Sequence, residues 1–378
     1  MRKTVLVMVL IICVSSLMGC TNNGAVKGEN NLFNHELMVL KADNGLYGYV
    51  DKDGDFVIEP QFDEARNFAE NGLAVVKYAG NFGYINVIGE FVIEPQFIKA
   101  GDFSANGLAT VIMGAPQYES LQHGYINEKG EIVIEPQFEF ADDFASNGLA
   151  MVMIRKESGV GSVCGYINAK GNFVIKPQYK QAEKFSANGF ARVLVEDKIG
   201  YKWGYINKNG RLVIKPQFDY ANDFSSNGLA LVANVVKEDI GNTSKIGYIN
   251  ESGKYAIEPY LDGGLDFSAN GLAVVVIDEK NVYINQKGNV VIQPQVERAF
   301  AFSDNGLAKV LIDGKYGYID ETGDYVIEPQ FDEATDFYDD GYAIVEIADE
   351  DGLTSQKYVI DSKGSYVLNI SKILMENR

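Results

Sequence analysis

A stretch of 29 residues at 83–111, GYINVIGEFVIEPQFIKAGDFSANGLATV, recurs in close copies from residue 48 to the C-terminus, and a chain written this way folds as an array of like units. The glycine before tyrosine marks each copy, at Gly48, Gly83, Gly124, Gly165, Gly204 and Gly247, then Val282, Gly317 and finally Lys357 before Tyr358. Eight marks are followed twelve residues later by a proline, from Pro60 to Pro329. Twelve further on comes the glycine of an Asn-Gly or Asp-Gly pair, from Gly72 to Gly341. Length varies only after that glycine, by 11 to 19 residues to the next mark. A packed unit cannot absorb insertions, whereas an exposed loop takes them at small entropic cost. The variable loops, such as 114–122 and 237–245, therefore sit on equivalent corners and line one side of the array. Their polar and aromatic residues, Tyr118, Glu119, Lys156, Lys237, Glu238 and Lys245, are the candidate binding positions.

Within one unit, Gly83-Tyr84-Ile85-Asn86 reads as a strand, Asn86 to Gly89 as a tight turn with positive φ at the glycine, and Phe91-Val92-Ile93 as the return strand, which Pro95 ends because it cannot donate to the ladder. Leu108-Ala109-Thr110-Val111 is a third strand, entered through Asn106-Gly107. Between them Phe97, Ala100 and Phe103 fall three apart, which fits one helical turn or an extended loop. The strands do not alternate cleanly with polar residues, so both faces of each small sheet need cover, and the next unit supplies it. The composition, with 22 Tyr, 21 Phe and 39 Gly, suits aromatic strands joined by tight turns. Glu36 to Leu40 supplies a leading third strand and Tyr358 to Leu368 a closing hairpin, so nine three-stranded antiparallel meanders are expected with no strand left over. A propeller usually closes by sharing a blade between its termini, so this count favours an open curved stack, with a closed β-propeller as the alternative. The repeat domain is expected over 36–368, with a cap or tail at 369–378.

The opening residues give an address. Arg2 and Lys3 precede an apolar run at 4–16, too short to span and stay as a helix, which reads as a secretory signal over 1–19. Leu17-Met18-Gly19-Cys20 follows and resembles the lipobox of bacterial lipoproteins. The resemblance implies cleavage before Cys20 and acylation of its sulfur, an anchor of several acyl chains that holds firmly. Residues 20–35, polar and rich in Asn and Gly, read as a flexible tether that stands the repeat domain off an extracytoplasmic face of the cell membrane.

Trp203-Gly204-Tyr205-Ile206, with the recurrent Ile-x-Pro-Gln-Phe and Asn-Gly-Leu-Ala steps, resembles the WG-repeat family of bacterial tandem β repeats over residues 36–368. The resemblance implies an all-β repeat scaffold, often secreted or at the surface, and carries over no catalytic residue.

The 52 acidic residues face 33 basic ones, two of them in the leader, so the surface repels phosphate backbones, and nucleic acid is set aside as a partner. Asp51-Lys52-Asp53-Gly54-Asp55 imitates the start of a calcium loop, but equivalent turns elsewhere lack the acids, so it reads as a hairpin turn and no metal is expected. The glutamates before the prolines (Glu59, Glu94, Glu135, Glu258, Glu328) give way to Lys176, Lys215 and Gln293, a mark of solvated strand ends and not of paired catalytic acids. His35 and His123 have no recurring serine or cysteine beside them, and Cys164, in the slot of Trp203, reads as a buried thiol. The tyrosines after each mark, from Tyr49 to Tyr358, read as core. These observations lead to a lipid-anchored, non-enzymatic module without a cofactor, which binds or scaffolds a protein partner through its loops. A cell-wall or carbohydrate binding protein, with or without hydrolytic activity, is the alternative.

Overall fold

The computed structural model describes residues 31–376 apart from 114–121, 198–199, 239–240 and 350–353. Nine antiparallel sheets lie among them, eight of four strands and the first of three, each a meander in chain order. They are the blades of a nine-bladed β-propeller. Blade 1 runs from Met38 to Phe62, blade 2 from Glu64 to Phe97, blade 3 from Lys99 to Phe138, and blade 4 from Phe140 to Tyr179. Blades 5 to 9 are Gln181 to Phe218, Tyr220 to Leu261, Gly263 to Ile292, Arg298 to Phe331, and Glu333 to Asn369. The strands of a blade are called a to d in chain order, the three of blade 1 being b to d.

The expected three-stranded unit is corrected to four. The undecided segment between Phe97 and Phe103 is extended, and its two residues Lys99–Ala100 form strand a of blade 3 by pairing with Ile112 and Val111. The apolar steps three apart arise because Phe97 closes one blade, while Ala100 and Phe103 already pack in the joint with the next. Pro95 does not end its strand either. Strand d of blade 2 runs Phe91–Phe97, and the register jumps from Tyr84 opposite Ile93 to Phe82 opposite Phe97. The proline sits in the resulting bulge, where no ladder donor is required.

The glycine mark is what lets that bulge close over the blade. A Cβ on Gly83 would lie 2.6 Å from the Ile93 carbonyl oxygen and 2.8 Å from the Pro95 nitrogen. Glycine and proline thus recur twelve apart because each is the other's contact. Two blades lack the glycine and prove the point. In blade 7, where Val282 fills the slot, strand d stops at Ile292. In blade 9 the register puts Tyr358, not Lys357, in the slot, since Ile360 faces Tyr366 as Ile85 faces Phe91. There the register shifts only between Val359 and Ile360, and strand d runs on in register through Asn369, opposite Tyr358, and passes into a helix, Ile370–Glu376.

The array closes, which corrects the expected open stack. In each of blades 2 to 9 the glycine of the turn between strands c and d faces the strand-d isoleucine of the preceding blade, as Gly89 faces Ile58 and Gly364 faces Ile327. Gly54 of blade 1 faces Leu368 of blade 9 in the same way, so the first blade stacks on the last. Among the described residues no strand is shared between the termini. Closure without a shared blade works here because Leu32, Phe33 and the C-terminal helix residues Ile370 and Ile373 fill the final joint with Met38, Leu40, Val50, Val359 and Leu368. Leu32 and Phe33, at the end of the expected tether, are buried in that joint.

The other eight joints are built alike. The tyrosine after each mark is fully buried, and its hydroxyl donates to a backbone carbonyl 17 residues on, in the next blade: Tyr49 to Arg66, Tyr84 to Gly101, and so on to Tyr318 and Thr335. Its ring packs on the phenylalanine two residues beyond that carbonyl, with centroids 4.7 to 4.9 Å apart. A buried phenol needs a partner for its hydroxyl, and this one doubles as the latch between neighbours.

Candidate functional site

A four-stranded meander sends its a–b and c–d turns to one face of the ring and its b–c hairpins to the other. On the first face the turns are short and alike. The Asn or Asp opening each c–d turn accepts backbone N–H groups with its side chain, as Asn86 does from Ile88 and Glu90. Asp51 accepts from Asp53 and Asp55 in the same manner, so the calcium-like run is a turn whose first carboxylate serves its own backbone. Among the described residues no group of three His, Cys, Asp or Glu is placed to hold a metal ion. In blade 7 this face has an open hollow of about 350 Å³ lined by Asn270, Gly271, Leu272, Asn285, Gln286, Lys287 and Asn289.

The hairpin face is uneven. Blades 2, 7 and 8 turn over two residues, at 79–80, 278–279 and 313–314. Blades 4, 5 and 6 carry longer hairpins side by side: Leu149–Arg155 with Ser162–Asn168, Phe190–Asp197 with Gly200–Asn207, and Leu229–Glu238 with Gly241–Asn250; blade 9, apart from them, carries one as long as that of blade 4, Tyr342–Ala348 with Ser355–Asp361. In blade 6 the flanking strands stop pairing at Ala233 and Ile246, and the ladder continues from Asn234 opposite Lys245 to Glu238 opposite Gly241. Five pairs at about 3.4 Å per residue make a two-stranded ribbon rising roughly 15 Å above the blade. Three neighbouring hairpins thus form a crest on one sector of the ring. Val160, Tyr201, Val235 and Val236 are exposed on it.

Aspartates in the blade-to-blade links fix the roots of several hairpins around this face. Asp219 accepts from Lys202 of blade 5 at 2.6 Å and from the backbone N–H of Val235 in blade 6 at 2.9 Å. Asp262 joins Lys245 to the N–H of Asp278, and Asp332 joins Lys315 to that of Ala348. The hydrogen bonds from Lys245 and Lys315 hold the Asp262 and Asp332 carboxyls below the usual range.

The candidate residues fall on this face unequally. Lys156 is exposed where the blade 4 hairpin turns, and Lys237 and Glu238 lie in the blade 6 ribbon, opposite Asn242 and Gly241. Lys245 is drawn back into the clamp with Asp262. Tyr118, Glu119 and Cys20 lie outside the described residues. Cys164 is buried, and burial pushes its thiol up. His123, against Phe140, is held down at about 4 by burial and then by Lys99. The glutamates before the prolines are exposed strand residues.

Sequence reasoning missed a second recurring feature, the residue just before each joint phenylalanine. It is Asp102, Asp143, Asp223, Asp266 and Asp336 in five blades, and most take a partner across the joint. Arg66 reaches Asp102, Thr110 donates to Asp143, Arg192 pairs with Asp223, Asn222 donates to Asp266, and Lys309 pairs with Asp336. The signal was there, since Arg192 and Lys309 interrupt the apolar third strand at Ala-x-Val. In blade 4 this aspartate follows another, and burial, then Asp143, raises Asp142 to about 7. Asp142 therefore holds its proton longer folded than unfolded, and stability falls as pH rises from about 4 through 7. Asp142→Asn is expected to melt with the parent at pH 4 and to gain about 1–2 kcal/mol over it at pH 8. Parallel thermal melts at the two pH values check this, and equal curves at pH 8 would show the carboxyl is well solvated.

A family model described as WG containing repeat matches the chain at residues 47–81, 82–114, 124–156, 165–198, 203–234, 246–280, 283–316 and 316–349. No curated protein matches it. Among solved structures, that of a eukaryotic initiation factor superimposes with a TM-score of 0.60 at 11% identity, over 88% of this chain and 94% of that one, a likeness of fold alone. The β-propeller domain of the Trilobed protease from Pyrococcus furiosus gives a TM-score of 0.38 at 10% identity, over 72% of this chain and 97% of that one.

Proposed function

The chain belongs to the family of WG containing repeat proteins, and from that premise we propose that it is a non-catalytic binding module whose propeller presents the crest of blades 4 to 6 to a partner protein. The observation that carries this reading is the unevenness of the hairpin face. Where all nine blades share one core, the hairpins of blades 4 to 6 are lengthened side by side, the last two rooted by the Asp219 clamp, and they carry exposed Val160, Tyr201, Val235 and Val236. Rigid roots under an exposed aromatic and aliphatic edge suit recognition of a protein, because little order is lost on binding. The second half of the proposal is the address: lipid on Cys20 holds the module at an extracytoplasmic membrane face. It rests on the leader sequence. The alternative, a carbohydrate or cell-wall binder, draws on the open hollow of blade 7, whose lining of Asn, Gln and Lys residues suits a polyhydroxyl ligand.

Crosslinking on intact cells, followed by mass spectrometry of what is recovered with the protein, tests both halves. Discrete partner proteins joined through Lys156 and its neighbours are expected, with a drop of tenfold or more in Tyr201→Ser/Val236→Ser. Recovery unchanged by that double substitution overturns the crest, and glycan fragments without protein favour the alternative. Cys20→Ser is expected to leave the membrane fraction, and its retention there would remove the lipid anchor.

A further inference from the structure

The joint between blades 9 and 1 is unlike the other eight. Its tyrosine slot holds Val359, as the pairing of Val359 with Leu368 matches that of Tyr84 with Ile93. Its phenylalanine slot holds Leu32, six residues before Met38 as Phe68 is six before Ala74, both of which face the end of strand c. The aromatic stack and the hydroxyl-to-carbonyl latch are therefore both replaced by aliphatic contact. Among the described residues no strand crosses this joint.

A strap holds it instead. The backbone N–H of Phe33 donates to Asp340 of blade 9 at 2.8 Å, and the Phe33 ring meets the Tyr342 ring edge-on at 5.3 Å. Lys52 of blade 1 sits 5.8 Å from the centre of the first ring and 5.9 Å from the second, and pairs with Glu36 at 2.7 Å. The other Asp340 oxygen is buried without a hydrogen-bond partner. The strap is also bent where a side chain resists bending, with φ of 52° at His35 and 64° at Glu36, in the positions that Asn71 and Gly72 occupy in blade 2. A non-glycine residue held there costs energy that only packing elsewhere offsets.

We infer that the ring opens at this joint, with residues 32–37 as the clasp that keeps it shut. Eight joints carry a stack, a latch and a chain connection, while the ninth relies on one segment in a disfavoured backbone and on a short helix. Opening it uncovers Met38, Leu40, Val359 and Leu368 and leaves the other eight joints intact. The clasp takes in residues 32–35, the end of the segment we read as the membrane tether, so a load or ligand on the rest of that segment acts on the clasp first. The inference itself stands without the tether or the crest.

Native-state hydrogen exchange of the full chain, read by mass spectrometry, tests it. Strand Met38–Lys41 and strand Tyr366–Asn369 are expected to exchange at least tenfold faster than Leu149–Arg155, and Phe33→Ala to speed the first two by a further tenfold while leaving the third unchanged. If that variant does not fold, Lys52→Met, which removes the cation from both rings, is read in the same way. Equal protection in all three strands of the parent, or a variant that speeds all three alike, overturns the inference.

Discussion

Arg192→Met is expected to destabilise the propeller by about 3–5 kcal/mol at pH 7, the cost of removing one partner from a buried ion pair. Arg192 projects from strand b of blade 5 into the joint with blade 6. Its Nε lies 3.2 Å from Asp223 Oδ1, its guanidinium donates to the Ala221 carbonyl, and its centre sits 5.2 Å over the Trp203 ring. The two side chains are only 22% and 21% exposed. Methionine fills much of the same volume, so the loss isolates the charge: burial pushes the Asp223 carboxyl up, and Arg192 is what pulls it back. Without the arginine that carboxyl takes up a proton at higher pH, so the deficit narrows as pH falls towards 4. Asp223→Asn in the Arg192→Met background is expected to recover a large part of the loss, because it removes the stranded charge. Denaturant titrations followed by the emission of Trp203, the single tryptophan, report both the global transition and the lost cation. A deficit below about 1 kcal/mol would mean that water already serves Asp223.

The same residues show what the sequence could and could not display. The intervals of twelve between glycine, proline and Asn-Gly are local, so they reveal the unit and its corners to anyone counting along the chain. Strand a escaped because two residues carry no periodicity, and Lys99–Ala100 is a strand only through pairing with strand b after an intervening turn. Closure escaped for a different reason. The rule that propellers share a blade between their termini concerns hydrogen bonds, whereas this ring is shut by side chains, Leu32, Phe33, Ile370 and Ile373, that lie outside the repeat. The tyrosine stripe was legible as core from Tyr49 to Tyr318, with Tyr358 half-buried in the glycine slot instead, but its latch was not, since the acceptor is a main-chain carbonyl that leaves no trace in residue identity. The departures from the repeat proved as informative as its copies. Trp203 stands in one unit of the nine, and beside Arg192 it acts as the face on which a buried cation rests. Of the crest, sequence length variation gave the place, and strand pairing gave the height.

Gly165→Val is expected to cost about 3 kcal/mol or more, because a β-branched side chain must enter where backbone already lies. A Cβ at this position would be 2.7 Å from both the Ile175 carbonyl oxygen and the Pro177 nitrogen, atoms that belong to the bulge and have no rotamer to change. The relief open to the blade is the one blade 7 shows around Val282, with strand d ending at the isoleucine. In blade 4 that would give up the pairing of Cys164 with Tyr179 and expose the buried Tyr179 ring, which packs in the joint with blade 5. Gly148→Val makes the control. That glycine has a φ of 79° but nothing within 4 Å of its Cβ position, so the cost is backbone strain alone, about 1–2 kcal/mol. Melting temperatures of the two variants should therefore order as parent, Gly148→Val, Gly165→Val. If Gly165→Val melts at or above Gly148→Val, the close approach of glycine to the proline bulge is not what fixes the twelve-residue interval, and the left-handed turn becomes the stronger constraint on this repeat.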